Sequence, residues 1–283
     1  MDAIHRFSKP RIRRPRAIIA FEGWGDACEA ASGAASYLIG TFDGGDPFAV
    51  IDPEEFFDFQ AHRPTVAIGD GATRRLSWPT TRFHDIALPA EDRDLVIVAG
   101  DEPSYRWKTF SRHVTQVLCE SDVEEVILLG SFIGQVAHTQ AVPVVGVATD
   151  PALVTRNGLL GSEYEGPTGI VGVILEACRE AGIPALALWA ATPHYLAANA
   201  NPKAMLALAE RATSILEIPA DLTELEKVTD EYLSRVNTAL EASDEFSAYV
   251  SELEQTDPST DSLDPTQAEG LLSEIEDYLR HNG

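Results

Sequence analysis

Residues 161–195 have the sequence GSEYEGPTGIVGVILEACREAGIPALALWAATPHY, and this stretch gives the clearest indication of the fold. Its first half carries apolar residues at helical spacing between Gly166–Pro167 and Gly182, which are typical of a helix start and a helix stop. Its second half contains ALALWA, residues 185–190, an apolar run of strand length. A continuous apolar run is typical of a parallel strand buried on both faces. The stretch therefore predicts a helix that packs on a sheet and then a strand inside that sheet.

Apolar runs of strand length recur through residues 17–149, and segments with helical periodicity separate several of them. The predicted strands cover residues 17–21, 48–52, 65–68, 81–88, 94–100, 125–130 and 143–149. The predicted helices cover residues 27–39, 104–120 and 204–216. Polar loops are predicted at residues 69–77, 130–139 and 150–164. Because strands alternate with helices, we predict an α/β fold with a mostly parallel sheet flanked by helices.

The composition changes beyond Pro219. Residues 217–283 contain 18 acidic and three basic side chains, so this segment contributes −15 to the net charge of −24. Positions that step by threes and fours predict a helix with an apolar seam at Leu222, Leu225, Thr229, Tyr232, Val236, Ala239, Ser243, Phe246, Val250 and Leu253. A last helix is predicted after Pro265. We predict an acidic C-terminal helical hairpin, packed on the sheet domain or on a neighbouring subunit.

Three segments follow from these patterns: a basic N-terminal arm over residues 1–16, an α/β domain over residues 17–216 and an acidic helical extension over residues 217–283. The arm carries six basic residues against one acid. Such an arm either binds a phosphate or a partner, or neutralises the acidic surface of its own protein, and the second interpretation is favoured.

The net charge of −24 disfavours nucleic acid and anionic membranes as partners, because phosphate binding needs Lys and Arg. No uninterrupted apolar run has the length of a membrane span. Cys28, Cys119 and Cys178 have neither disulfide nor metal spacing, and the N-terminus lacks the apolar core of a signal peptide. These features predict a cytoplasmic protein.

Candidate site residues follow several of the predicted strands. Ligands of open α/β sheets bind outside the carboxyl ends of the strands. The glycine-bearing turn after the first strand either presents helix N-terminal amides to an anion or only permits a tight bend. The candidate ligand-binding residues are Gly23, Trp24, Gly25, Asp26, Ser131, His138, Gly166, Thr192 and His194.

The sequence contains no recognisable catalytic set. A G-x-S-x-G nucleophile turn is absent, and no histidine or acidic cluster has the spacing of metal ligands. A loop histidine such as His138 or His194 is either a base or a structural hydrogen-bonding residue, and the structural role is the commoner one. We predict no catalytic residue, metal or cofactor, and we favour a protein that is not an enzyme.

Several motifs together resemble the PAC2 (proteasome assembly chaperone 2) family. They are FEGWGDA at residues 21–27, Gly130–Ser131 running on to His138–Thr139, GVAT at residues 146–149, Gly166–Gly169 and Thr192–Tyr195. Residues 16–216 are similar in particular to actinobacterial members with a helical C-terminal extension. The resemblance implies a sandwich related to the nucleoside-phosphorylase fold, a homo-oligomer, which we expect to be a trimer, and no established catalytic activity.

Two hypotheses for function follow. The first is a non-catalytic protein-interaction or assembly factor that acts as a homo-oligomer and has proteasome-related proteins as partners, as the resemblance implies. The alternative is a small-molecule binder or enzyme that holds a nucleoside-like or anionic ligand in the loops at the carboxyl edge of the sheet.

Overall fold

The computed structural model of the chain describes residues 3–69, 73–241 and 244–255. Nine strands form one sheet: β1 (Ile4–Arg6), β2 (Arg16–Glu22), β3 (Ala49–Ile51), β6 (Thr81–Ile86), β7 (Leu95–Asp101), β8 (Glu125–Gly134), β9 (Val144–Ala148), β10 (Leu160–Gly161) and β11 (Ala185–Pro193). Two further strands, β4 (Thr65–Ile68) and β5 (Arg74–Ser77), pair only with each other. The helices are α1 (Ala30–Thr41), α2 (Trp107–Glu120), α3 (Pro151–Arg156), α4 (Ile170–Ala181), α5 (Pro202–Ile215), α6 (Thr223–Glu241) and α7 (Asp244–Gln255).

The strand order in the large sheet is β1-β3-β6-β7-β2-β8-β11-β9-β10. The central strands β7, β2, β8 and β11 run parallel, whereas β6 and β9 pair antiparallel with them. β9 pairs with β11 and runs opposite to it and to β8, because only a loop joins β8 to β9 and a parallel return needs a longer crossover. The predicted α/β fold, a mostly parallel sheet flanked by helices, is confirmed.

Helices cover both faces of the sheet, which explains why the central strands are apolar without alternation. One face of β2 carries Ile19 and packs with α2 and α4, and the other carries Ile18 and packs with α1 and α5. All these strand side chains are fully buried. α1 contributes mainly alanines, so this helix lies close against the sheet.

α4 and β11 form the predicted helix–strand unit. α4 begins at Ile170, three residues beyond the predicted Pro167, because Gly169 is its N-cap. It ends as predicted at Gly182, whose φ of 73° is the left-handed conformation that glycine adopts at helix C-termini. β11 then pairs with β8 along its whole length, from Ala185 opposite Val126 to Pro193 opposite Gly134.

The structure corrects the predicted loops. The segment 69–77 contains β5, the segment 130–139 begins with the end of β8, and the segment 150–164 contains α3 and β10. β5 was missed because its sequence, RRLS, lacks an apolar run. The continuation of β8 was missed because Gly130 and Ser131 are residues typical of turns.

The predicted helix at residues 222–253 is two helices, α6 and α7. Its seam nevertheless faces inward: the buried positions are Leu225, Thr229, Tyr232, Val236, Phe246, Val250 and Leu253. These side chains pack on the same chain. Tyr232, Val236, Phe246, Val250 and Leu253 pack with Tyr195 and Leu196 at the end of β11, and Leu225 packs with α1 and α5. The helix predicted after Pro265 lies outside the described residues.

The N-terminal arm is held on the fold by ion pairs. Arg6 lies 2.7 Å from Glu120, Arg13 lies 3.0 Å from the buried Asp94, and Arg14 lies 3.0 Å from Glu124. These arginines therefore neutralise acids of their own chain, which is the interpretation that the charge pattern favours.

Candidate functional site

The turn after β2 meets the start of α4 at the carboxyl edge of the sheet, and Glu102 joins them. The Glu102 carboxylate accepts hydrogen bonds from the backbone amides of Ile170, at 2.7 Å, and of Trp24, at 3.2 Å. A helix N-terminus attracts anions because its amides are unpaired. Here the chain's own carboxylate occupies that position, so the glycine-bearing turn is bound to an internal anion.

Close packing explains the glycine in this turn. Gly23 has a φ of 122°, and a Cβ atom there would lie 2.8 Å from the Cβ atom of Glu102. Trp24, next in the chain, has 62% of its surface exposed. The turn therefore holds an indole at the surface while its backbone lies against Glu102.

Asp26, which follows β2, lies beside Ser131 on the neighbouring strand β8, and both side chains bind backbone groups. One oxygen of the buried Asp26 carboxylate accepts hydrogen bonds from the amides of Ala31, at 2.8 Å, and Ser32, at 3.1 Å. Burial raises the pKa of Asp26, and these hydrogen bonds oppose the shift. The Ser131 amide donates to the carbonyl of Gly25 at 2.8 Å, and its hydroxyl donates to the carbonyl of Ala27 at 2.8 Å. Both side chains fix the entry to α1.

His138 is buried between Tyr195 and α6. The Tyr195 hydroxyl lies 2.8 Å from both the backbone nitrogen and Nδ1 of His138, and the Asn237 carbonyl oxygen lies 3.0 Å from Nε2. Oδ1 of the Asn237 side chain can only accept, so Nε2 of His138 carries the ring proton. Nδ1 then accepts from the Tyr195 hydroxyl, which itself accepts from the His138 backbone amide. Burial lowers the pKa of His138, and the hydrogen bond to Asn237 opposes the shift.

His194 and Thr192 lie at the end of β11. Nε2 of His194 is 2.9 Å from the hydroxyl of Tyr249 on α7, and burial lowers the pKa of His194. Thr192 is fully buried, and its hydroxyl donates to the carbonyl of Phe132 at 3.0 Å. Both residues are thus held by groups of their own chain.

The C-terminal helices cover the two histidines. The ring of Tyr195 lies between them, 5.9 Å from the ring of His138 and 5.3 Å from that of His194. The Glu254 backbone carbonyl accepts a hydrogen bond from Nε2 of the Gln140 side chain at 2.9 Å. The space beside His138 measures about 10 Å³, which is room for about one water molecule.

The candidate residues thus form three groups. Gly23 and Trp24 contact the start of α4 through Glu102, Gly25 and Asp26 contact Ser131, and Thr192, His138 and His194 lie around β11 and Tyr195. Gly166 is exposed in the loop before α4, where the Tyr164 hydroxyl packs against it.

Three residues that contact the candidate residues were not predicted from the sequence: Glu102, Asn237 and Tyr249. An acid placed directly after the strong strand β7 was the available signal for Glu102.

A wider groove lies at the opposite, amino edge of the sheet. It measures about 560 Å³ and is lined among others by Arg16, Glu125, Arg156 and Arg179. Arg156 and Arg16 each lie 3.7 Å from Glu125, whose pKa burial raises. None of the candidate residues lines this groove.

Two further kinds of feature are absent from the described residues. No three or more His, Cys, Asp or Glu side chains converge there as metal ligands. No helix in the same part of the chain is long and apolar enough to cross a membrane.

Comparisons with known proteins agree with the motifs. The PAC2 family matches residues 20–240. A PAC2 family protein from Streptomyces avermitilis is 43% identical with a TM-score of 0.78, over 83% of this chain and 99% of that one. A proteasome-assembly chaperone homologue from Mycobacterium tuberculosis is 38% identical with a TM-score of 0.76, over 83% and 99%.

PbaB of Pyrococcus furiosus, an archaeal proteasome activator, is 20% identical with a TM-score of 0.67, over 83% of this chain and 97% of that one. This similarity shows the fold alone. A comparison with curated proteins found no match.

Proposed function

This chain belongs to the PAC2 family, and we propose that it is a non-catalytic protein-interaction or assembly factor that acts as a homo-oligomer. Its proposed partners are proteasome-related proteins. The relative from Mycobacterium tuberculosis, described as a proteasome-assembly chaperone homologue, supports this choice because it is 38% identical over 83% of the chain.

One observation carries the proposal: the polar side chains at the carboxyl edge of the sheet bind groups of the chain itself, apart from Nδ1 of His194, which is buried without a hydrogen-bond partner. Asp26, Ser131 and Glu102 bind backbone groups, and His138 and His194 bind tyrosine hydroxyls. A nucleophile or base must reach the substrate with a free lone pair or proton. Because these groups are hydrogen-bonded within the chain, where they hold helices and loops in place, a protein-binding role is favoured over catalysis.

The acidic outer face of α6 is the surface that we assign to the partner. Its apolar seam packs on the α/β domain, while Glu226, Asp230 and Glu231 are exposed on the other side. A surface of one sign attracts a partner surface of the opposite sign and speeds association. The division into an arm at residues 1–16, an α/β domain at 17–216 and an extension at 217–283 is part of this proposal, with the extension as the interaction element.

A binding experiment with neutralised charges tests the proposal. The full chain and purified proteasome α subunits are mixed, and the dissociation constant is measured at low and physiological salt. We expect binding by the natural chain and at least about a tenfold loss in the triple variant Glu226→Gln/Asp230→Asn/Glu231→Gln, since an interfacial charge removal costs on the order of 0.5–1 kcal/mol or more. A matched control, Asp46→Asn/Glu54→Gln/Glu210→Gln, removes the same charge from other exposed positions. No binding by the natural chain, or equal losses in both variants, would overturn the assignment.

A further inference from the structure

The β4–β5 hairpin is a two-stranded sheet that stands apart from the large sheet. Every residue of both strands is exposed. Val66 lies opposite Leu76, and Ile68 lies opposite Arg74. Because side chains alternate between the faces of a strand, Val66, Ile68 and Leu76 share one face. Their exposed fractions are 56%, 78% and 58%.

The hairpin leaves the fold at the carboxyl edge of the sheet. The residues after β5 return to β6, and a Cβ atom at Gly100, near the end of β7, would lie 2.7 Å from the carbonyl oxygen of Thr80. Trp78 packs on Phe59 with ring centroids 4.7 Å apart, which fixes the base of the hairpin. An isolated hairpin is at best marginally stable in water, and an exposed apolar face on one marks an interaction site.

The charge of the hairpin points to an acidic partner. Residues 63–80 carry Arg63, Arg74 and Arg75 against one acid, Asp70, in a chain with a net charge of −24. The hairpin is therefore a basic element of an acidic protein. A second copy of the chain presents the acidic surface that would complement it.

The carboxyl edge of the sheet supplies that surface. Residues 161–169 and 22–29 contain no Lys or Arg, and Glu22, Glu29, Glu163 and Glu165 are exposed there. Two large aromatic side chains, Trp24 and Tyr164, are 62% and 57% exposed. They lie on one surface, because Gly169 packs beside Trp24 and the Tyr164 hydroxyl donates to the carbonyl of Pro167. Exposed aromatic residues of this kind are frequent energetic centres of protein interfaces.

We propose that the apolar face of the β4–β5 hairpin docks on the acidic, aromatic carboxyl edge of a second copy of the chain. The interface is head-to-tail, because the hairpin and the edge are different surfaces. Repeated head-to-tail contacts form a ring where the rotation between copies closes and an open filament where it does not. This proposal rests on the homo-oligomer of the proposed function and adds to it the two surfaces that meet.

Complementary variants test the docking. The hairpin variant is Val66→Asp/Leu76→Asp and the edge variant is Glu163→Arg/Glu165→Arg, with molar mass measured by light scattering and folding checked by circular dichroism. We expect the natural chain to be oligomeric and each variant to be monomeric, with self-association weakened at least about 30-fold, as expected when an interface centre is lost. An equimolar mixture should form a heterodimer and nothing larger, since one intact hairpin meets one intact edge. Leu160→Asp, at a 76% exposed apolar position on β10, is the control that should keep the natural mass.

The outcomes separate the two proposals. A folded hairpin or edge variant that keeps the natural mass overturns the docking and leaves the proposed function standing. A natural chain that is monomeric overturns the homo-oligomer and the docking together. If the hairpin variant is misfolded, Arg74→Glu/Arg75→Glu, which keeps Val66, Ile68 and Leu76 and reverses the charge beside them, is measured instead. Dissociation of this variant supports the docking, and an unchanged mass overturns it. A mass that rises only when another protein is added shows that the hairpin serves a different partner and also overturns the docking.

Discussion

The hydroxyl of Tyr249 on α7 lies 2.9 Å from Nε2 of His194 at the end of β11. The two residues are 55 positions apart in the sequence. Together with the pair His138–Asn237, this contact joins the C-terminal helices to the loops in which a ligand of an α/β sheet would be expected. α6 and α7 are therefore anchored on the sheet through two buried histidines.

Removing this hydroxyl should loosen α7 selectively. We expect Tyr249→Phe to lower the free energy of unfolding by about 1 kcal/mol, because one hydrogen bond to a buried group is lost. Amide hydrogen exchange should quicken in residues 244–255 more than in the central strands. Tyr37→Phe, which removes an exposed hydroxyl that donates to the Asp221 carbonyl at 3.1 Å, is the matched control. Equal exchange in Tyr249→Phe and the natural chain would contradict the anchoring role.

The attachment of α6 and α7 should weaken in acid. Burial lowers the pKa of both His138 and His194, and an unfolded histidine has a pKa of about 6.5. Below that value the unfolded chain binds more protons than the folded chain, so the contribution of these residues is full at higher pH and is lost as the pH falls. A proton on Nδ1 of His138 would also displace the proton that Tyr195 donates. Urea unfolding between pH 7.5 and pH 5 measures the effect.

A glutamine variant isolates the histidine contribution from the titration of the many carboxylates. We expect the free energy of unfolding to change less with pH in His194→Gln than in His62→Gln, which removes an imidazole elsewhere in the fold. Other charged groups near the buried pair, Lys203 and Glu254, are the same in both variants. Identical pH dependence in the two variants would exclude the histidine as the source.

Glu102 should behave as the anchor of the α4 N-terminus. We expect Glu102→Ala to lower the free energy of unfolding by about 1–2 kcal/mol, as for loss of a helix cap. The freed amides of Trp24 and Ile170 should then donate hydrogen bonds to an external anion. Sulfate should therefore raise the melting temperature of Glu102→Ala more than that of the natural chain, whereas Glu163→Ala, on the same edge, should respond as the natural chain does. An equal response to sulfate in all three proteins would contradict this account.

Two glycines should respond in opposite directions to alanine. At Gly100 the new methyl group would lie 2.7 Å from the backbone carbonyl oxygen of Thr80, so we expect a loss of about 1–3 kcal/mol in the free energy of unfolding. At Gly40, in α1, nothing lies within 4 Å of the new group, and we expect a gain of about 0.5–1 kcal/mol from helix propensity. Chemical denaturation measures both. A gain at Gly100 would show that β6 and β7 approach less closely than described.

The sequence predicted the parts of the fold whose signals are local. α4 and β11 could be predicted because apolar spacing and Gly182 act within one segment. β5 could not, since Arg74 and Arg75 become strand residues only through pairing with β4. Gly130 suggested a loop, yet it lies in β8. A glycine is needed at this strand position because a Cβ atom there would be 2.6 Å from the ring of Trp189. That contact crosses between strands and leaves no pattern in the sequence.

For the candidate site, too, only the features with local signals could be predicted. The rule that ligands bind at strand ends was sufficient to select Asp26 and Ser131, which the fold brings together. It could not show that Asn237 contacts His138, because 99 positions separate them and α6 must first pack on the domain. The role of each histidine depends on that packing.

The most direct test of the central claim is native mass spectrometry of the full chain mixed with purified proteasome α subunits. If the chain is a protein-interaction or assembly factor that acts as a homo-oligomer, the spectra should contain complexes with two or more copies of this chain bound to α subunits. Spectra that show only free α subunits and free chain, across concentrations at which the chain itself is folded, would contradict the claim.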